Sequence, residues 1–216
     1  MGDRIKSLTR DGFAHNQNAA FEEALSVFVE TVRLCKEDGD IVGEANQLMV
    51  VADIYCATDQ PDKALDSYRS VYNLLASIDD CAGMAAVQNN IGLLLSRMQL
   101  YEEAMTAFDD ARNKFEACGL PERVADQLGN MGSVCRDSEN YVTALDFYRQ
   151  ALRRFEQMKL PVKIADQYAN IGYIYVLQEN KDAALESFAK AETLYRHNGE
   201  KQKAHQTLQN IQALRG

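Results

Sequence analysis

Asparagine is the residue whose type and spacing most clearly suggest chemistry in this sequence. It recurs every forty residues, at Asn90, Asn130, Asn170 and Asn210. An asparagine amide both donates and accepts hydrogen bonds, so a row of them can pair with a peptide main chain whatever its side chains are. Asparagine is also unfavourable inside helices, so a column of it needs a reason. The alternative is that each amide bonds a neighbouring helix and only stiffens the protein.

Catalytic and metal chemistry find little support in the residue pattern. The three histidines, His15, His197 and His205, form no H-x-x-x-H or H-E-x-x-H motif, and the cysteines form no cluster. Cys56 and Cys135 fall where packing is expected and lack a partner base that would activate a nucleophile. We therefore expect no catalytic residues, no metal and no cofactor, and an enzyme with an unrecognised site is the least favoured class.

The elements that position the asparagines repeat with the same period. An alanine followed by Leu or Met recurs at Ala24, Ala64, Ala104, Ala144 and Ala184. Four residues after each alanine comes an aromatic residue, at Phe28, Tyr68, Phe108, Tyr148 and Phe188. This spacing predicts one amphipathic helix in each repeat. Because a single repeat cannot bury its apolar face, neighbouring repeats must stack.

A second helix lies between successive alanine helices. Residues 120–132 match residues 160–172, and Pro121 and Pro161 suit the first position of a helix. Glycines that could end a helix in the left-handed conformation stand at Gly39, Gly119 and Gly199. The sequence therefore predicts an all-α fold in one domain over residues 1–216, a solenoid with about five helix pairs. The expected pairs span about 4–39, 41–79, 81–119, 121–159 and 161–199, followed by a capping helix at 201–214.

These columns resemble the tetratricopeptide repeat family, in its forty-residue variety similar to kinesin light chains and Leu-Gly-Asn-repeat scaffolds. The resemblance also includes glycines in the first helix of each pair, at Gly92, Gly132 and Gly172, and alanines in the second helix, at Ala111, Ala151 and Ala191. Small residues at both places let the two helices approach closely. A forty-residue period alone would also fit HEAT and armadillo arrays. The chain departs from the family pattern by lacking Trp and by carrying Ala52 at the glycine position.

The resemblance implies a right-handed α-α superhelix. It also implies a non-catalytic protein-protein interaction module, with a concave groove lined by the first helix of each pair. In forty-residue relatives the asparagine column hydrogen-bonds an extended peptide. The same register places Asp126 and Asp166 to bind a basic side chain, and Arg97 or Arg136 to bind an acidic one. It also places Tyr173 on the inward face. The alternative for the two aspartates is that they complement helix dipoles. The expected binding set is Asn90, Asn130, Asn170, Asn210, Asp126, Asp166, Arg97, Arg136 and Tyr173.

Composition and charge limit the classes of partner. The net charge is −9, and Lys and Arg are scattered, which argues against nucleic acid and against an anionic membrane. No apolar run approaches the roughly 18 residues of a membrane span. Five cysteines without a C-x-x-C pair suit a reducing cytoplasm. The expected partner is a protein or peptide. A monomer is favoured over a self-assembling scaffold because the last segment is polar, and a dimer stays open.

Overall fold

Eleven α-helices and no strands make up the part of the chain that the structure describes. The computed structural model describes residues 2–216, apart from the side chain of Asp3. The helices are α1 Gly2–Gln17, α2 Phe21–Asp38, α3 Ile41–Ala57, α4 Pro61–Ala76, α5 Cys81–Arg97, α6 Tyr101–Ala117, α7 Pro121–Asp137, α8 Tyr141–Met158, α9 Pro161–Leu177, α10 Lys181–His197 and α11 Lys201–Arg215. The prediction of an all-α fold with five helix pairs and a final single helix is confirmed. Odd-numbered helices are called A helices and even-numbered ones B helices.

The helices form two compact units, Met1–Lys114 and Phe115–Gly216. The first unit holds α1 to α5 and most of α6, and the second holds α7 to α11. Within the first unit, α2 packs against both α1 and α3. Within the second, α10 packs against both α9 and α11. Each of these B helices therefore contacts the A helix of its own repeat and that of the next.

The alanine and aromatic columns form the core of both units. The alanines at Ala24, Ala64, Ala104, Ala144 and Ala184 are completely buried. The aromatic rings lie directly on the glycines of the A helices. A Cβ atom added to Gly92 would lie 2.7 Å from the Phe108 ring, and one added to Gly172 would lie 2.9 Å from the Phe188 ring. Only glycine permits this close approach, because protein interiors leave no spare volume there.

The helix ends follow ordinary capping chemistry. Pro61, Pro121 and Pro161 begin α4, α7 and α9. Every turn from a B to an A helix passes through a residue of positive φ. Three of these residues are glycines, Gly39 at 71°, Gly119 at 68° and Gly199 at 78°, and the other two are Asp79 at 55° and Lys159 at 56°. Side chains that cap helix N-termini accept hydrogen bonds from main-chain amides, as Asp40 does for α3, Asp80 for α5, Asn140 for α8 and Asn180 for α10. The short turns are therefore stabilised locally.

The last helix covers the apolar surface of the fifth pair. Ala204 packs with Tyr195, and Ile211 packs with Phe188 and Ala184. The other face of α11 is exposed and polar, with Lys201, Gln202, Lys203, Gln206, Gln209 and Gln212. This arrangement is that of a capping helix.

Within residues 2–216, no helix is long and apolar enough to cross a membrane. The same residues contain no cluster of His, Cys, Asp and Glu that could hold a metal ion. All five cysteines are free thiols. Burial raises the pKa of the Cys35 and Cys135 thiols, so both favour the neutral form of a packing residue.

Candidate functional site

The asparagine column of the second unit lies on its A helices. Asn130 is on α7, Asn170 on α9 and Asn210 on α11, and all three side chains are half-buried. The amides of Asn170 and Asn210 make no hydrogen bond to any residue that the structure describes. We call the side of α7, α9 and α11 that carries these residues the A-helix face. Its two free amides have both donors and acceptors available for another molecule.

Asn90, in the first unit, uses its amide differently. Its Nδ2 atom donates to the Met49 sulfur at 3.5 Å, and its Oδ1 atom accepts from Asn89 at 3.2 Å. Met49 lies on α3 and Asn90 on α5, so the bond joins consecutive A helices. Thioether sulfur is a weak acceptor. Asn90 thus makes a weak bond that stiffens the contact between α3 and α5.

The two aspartates that were expected to grip a basic ligand already have basic partners in the fold. Asp126 Oδ1 accepts from Lys163 Nζ at 2.7 Å, and Asp166 Oδ1 accepts from Lys203 Nζ at 2.8 Å. These bonds join α7 to α9 and α9 to α11. Both aspartates lie in the second turn of their helices, past the amides that a helix dipole would present. Their evident role is to tie consecutive A helices together.

Asp166 has a second partner, since the Tyr195 hydroxyl donates to the same Oδ1 atom at 2.7 Å. Burial raises the pKa of Tyr195, and the hydrogen bond to Asp166 raises it further. The phenol therefore stays protonated and continues to donate. Sequence spacing did not reveal this network, because the lysines follow their aspartates by 37 residues and belong to the next repeat.

A cleft of about 480 Å³ opens where α7 and α9 end in the second unit. Its lining includes Arg136, Tyr173 and Leu177, together with Asp137, Glu139 and Tyr141. Tyr173 is 48% exposed and Leu177 is 39% exposed. Large exposed side chains gathered at a cleft are a feature of binding surfaces. The sequence identified Arg136 and Tyr173 separately, and the structure brings them together.

Arg136 is held in place on this cleft by two neighbours. Its guanidinium carbon lies 5.8 Å from the centre of the Tyr173 ring, and its Nε atom donates to Asp137 at 2.8 Å. Burial alone would lower the pKa of Arg136, but the hydrogen bond to Asp137 and nearby charges outweigh it and raise that pKa. The two Nη atoms make no hydrogen bond to the described residues. A positioned, charged donor is therefore available in the cleft.

Arg97 lies at the end of α5 in the first unit, in register with Asp137. Its Nη2 atom lies 3.5 Å from the main-chain oxygen of Cys56, which joins α5 to α3. Both residues line a smaller cleft of about 170 Å³ with Leu94 and Pro61. The predicted site residues thus fall into two groups, with Asn90 and Arg97 in the first unit and the others in the second.

One regularity of the A helices was not predicted from the sequence. The residue three positions after the asparagine register is apolar or aromatic in repeats whose B helix carries Phe, at Phe13, Leu93 and Tyr173. It is polar where the B helix carries Tyr. There it bonds the phenol, with 2.7 Å between Tyr68 and Asp53 and 3.1 Å between Tyr148 and Ser133. Comparing the two columns in the sequence would have found this alternation.

Comparison with models of protein families identifies the type of repeat. Models described as tetratricopeptide repeat match residues 83–157 and 165–198, which together make up half of the chain. Among curated proteins, none matches the sequence.

Solved structures share the fold at low sequence identity. Aspartyl phosphate phosphatase F from Bacillus subtilis is 16% identical with a TM-score of 0.85, over 94% of this chain and 54% of that one. A Rap protein complexed with competence and sporulation factor is 14% identical with a TM-score of 0.73, over 94% and 57%. The chain thus spans little more than half of these two proteins.

Other similar structures match over nearly their whole length. A putative kinesin light chain from Podosopora anserina is 14% identical with a TM-score of 0.62, over 100% of this chain and 96% of that one. Three observations indicate the same kind of repeat: the fold, the columns of glycine, alanine and aromatic residues, and the matching family models. The chain is a protein-interaction module in the general sense and belongs to the tetratricopeptide repeat family.

Proposed function

We propose that the A-helix face of the second unit binds an extended or partly helical segment of a partner protein. In this proposal Asn130, Asn170 and Asn210 pair with the main chain of that segment. The observation that carries it is that the amides of Asn170 and Asn210 are half-buried and bond to no described residue. Half-buried amides lose part of their hydration, so a partner that satisfies them gains binding energy.

The cleft at the ends of α7 and α9 supplies side-chain recognition beside this column. Tyr173 and Leu177 offer apolar surface, and the free Nη atoms of Arg136 offer a charged fork. The segment that fits best carries an apolar side chain next to a carboxylate, since guanidinium groups bind carboxylates strongly and in a fixed geometry. Asp126 and Asp166 lie outside this contact set because Lys163 and Lys203 hold their Oδ1 atoms.

Similar folds support a role in binding. A Rap protein of this fold has been crystallised in complex with competence and sporulation factor. The two sequences are only 14% identical, so we propose a chemical class of partner for the present chain and no particular partner.

We also infer that the chain acts as a monomeric adaptor in a reducing cytoplasm. Five free thiols and the polar outer face of α11 support this inference. Light scattering after size-exclusion chromatography tests it, and a mass near 24.2 kDa at every concentration is expected. A mass that rises with concentration would instead favour a self-assembling scaffold.

A selection experiment with random peptides tests the proposed function and needs no candidate partner. A library of such peptides displayed on phage is selected on the intact chain, and the recovered peptides are synthesised. We expect dissociation constants in the micromolar range, about −8 kcal/mol, and weaker binding to Tyr173→Ser. Val142→Ser, an exposed apolar position on the B helix α8, is the matched control and should bind normally. Failure to recover any saturable binder, or equal binding by the Tyr173 variant, would contradict the proposal.

A further inference from the structure

Consecutive A helices of the second unit lie side by side and run parallel. Asp126 of α7 accepts a hydrogen bond from Lys163 of α9 at 2.7 Å. Farther along both helices, a Cβ atom added to Gly129 of α7 would lie 3.6 Å from the Gln167 side chain of α9. Because the contacts advance in the same direction on both helices, the two axes are parallel. Helices in direct contact have axes about 8–10 Å apart.

The step from α9 to α11 is held by an equivalent bond. Asp166 and Lys203 are bonded at 2.8 Å, and each lies forty residues after the corresponding member of the first pair. Asn170 and Asn210 occupy equivalent positions on these two parallel helices. Their free amides are therefore separated by about the same 8–10 Å as the helix axes.

A main chain that pairs with both amides must present equivalent groups at this interval. In a polyproline II helix the same groups recur on one side every three residues, or about 9.3 Å, and none of them is bonded internally. A β-strand repeats every two residues, at about 6.7 Å, and every four, at about 13 Å. In an α-helix the main-chain groups are already bonded to one another. The spacing of the amides thus fits polyproline II better than either alternative.

Exposed apolar surface lies beside the amide column. Tyr173 and Leu177 stand one and two turns after Asn170 on the same side of α9, and both are exposed. Polyproline II segments dock on aromatic surfaces of this kind, and their stiffness leaves little conformational freedom to lose on binding. An exposed tyrosine next to a free amide therefore suits a proline ring next to a paired main-chain group.

We infer that the partner segment binds as a polyproline II helix with a residue other than proline at every third position. The main-chain N–H and C=O groups of one such residue pair with Asn170, and those of the next pair with Asn210. The two positions between them accept proline, which has no N–H group to pair. This inference rests on the proposed function and adds the conformation and the sequence period of the segment.

Calorimetry on the intact chain compares three peptides, each made of four identical tripeptides. The Ala-Pro-Pro peptide has the required period, its N-methylalanine analogue lacks the pairing N–H groups, and the Ala-Gly-Gly peptide keeps those groups without a preference for polyproline II. We expect the Ala-Pro-Pro peptide to bind about tenfold more tightly than either of the others. Equal binding by the analogue or by the Ala-Gly-Gly peptide would overturn the inference, as would the absence of saturable binding by the Ala-Pro-Pro peptide.

Variants locate the binding and separate this inference from the proposed function. Asn170→Ala with Asn210→Ala should reduce the affinity of the Ala-Pro-Pro peptide to that of its N-methyl analogue, whereas Asn73→Ala, at an exposed position on α4, should leave it unchanged. Circular dichroism verifies that each variant is folded. Undiminished binding by the double variant would overturn the inference. If the double variant weakens only the peptides recovered from the phage library, the inference fails and the proposed function stands; if no peptide of either kind binds, both fail.

Discussion

The Tyr68 hydroxyl donates a 2.7 Å hydrogen bond to Asp53, fifteen residues earlier on the paired A helix. In the second unit, a 3.1 Å hydrogen bond joins the hydroxyls of Tyr148 and Ser133 at the same separation, and either hydroxyl can donate. Repeats that carry Phe at the tyrosine position have an apolar or aromatic residue at the other, as Phe108 has Leu93. A buried phenol needs a hydrogen-bond partner and a phenyl ring does not. In these two columns the repeats alternate, so the pattern there recurs every eighty residues.

The Asp53 and Tyr68 pair should show a measurable coupling. A double-mutant cycle with Asp53→Ala and Tyr68→Phe should give about 1.5 kcal/mol, the low end for a hydrogen bond to a charged group, because Asp53 is exposed. Urea unfolding of the four proteins measures it. As a complement, Leu93→Asp with Phe108→Tyr should create a favourable coupling where none exists. Additive effects in both cycles would show that the alternation has no energetic basis.

Alkaline pH should weaken the fold through its buried tyrosines. Burial raises the pKa of Tyr68 and Tyr195, and hydrogen bonds to Asp53 and Asp166 add to the effect. A free tyrosine titrates near pH 10. Below about pH 10 the two hydroxyls are protonated in the folded and in the unfolded protein, and the stabilisation is complete. Above about pH 10 the hydroxyls of the unfolded chain lose their protons first, so the free energy of unfolding falls. Urea unfolding at pH 8 and pH 11 should show a smaller fall for Tyr68→Phe with Tyr195→Phe. An equal fall would contradict this explanation.

Two glycines of α7 should respond oppositely to the same substitution. A Cβ atom at Gly132 would lie 2.8 Å from the Tyr148 ring, so Gly132→Ala should destabilise the protein by about 1–3 kcal/mol. At Gly129 the nearest atom, in the Gln167 side chain, is 3.6 Å away. Gly129→Ala should therefore stabilise the protein by about 0.5–1 kcal/mol through helix propensity. Denaturant midpoints of the two variants measure both effects. A change in stability of the same sign in both variants would contradict the packing described for this helix.

The capping helix should be essential for stability. Ile211→Asp places a charge against Phe188 and Ala184 and should cost about 2–4 kcal/mol or cause aggregation. Gln212→Asp, at the exposed neighbouring position, is the matched control and should change stability by less than about 0.5 kcal/mol. Thermal unfolding and light scattering compare the two variants. Similar melting temperatures for both would mean that α11 does not protect the fifth helix pair.

Much of the fold could be predicted because its determinants are local or strictly periodic. Pro121 and Pro161 begin helices and Gly39 ends one, as their backbone preferences require. The alanine column is buried because the period places every alanine at an equivalent helix crossing. Asp40 and Asp80 cap α3 and α5, and these caps were not predicted from the sequence. Each aspartate accepts a hydrogen bond from the main-chain amide of a glycine three residues later.

The candidate site was less predictable because it depends on contacts between repeats. Lys163 neutralises Asp126 across 37 residues, and no rule of spacing within one helix connects them. Asn90 and Asn170 occupy equivalent positions, yet Met49 engages only the first. Residue type and register thus located the A-helix face, while the availability of each side chain depended on its neighbours in three dimensions.

Calorimetry with peptides recovered by selection tests the central claim most directly. Main-chain pairing predicts that Asn170→Ala with Asn210→Ala weakens the binding of several peptides of unrelated sequence to a similar extent. The expected loss is about 2 kcal/mol, roughly 30-fold, at about 1 kcal/mol for each amide. Asn73→Ala, an exposed asparagine on the B helix α4, is the control and should change nothing. Undiminished affinity in the double variant would contradict the claim, and lower unfolding free energy with undiminished affinity would assign the asparagines to stiffening.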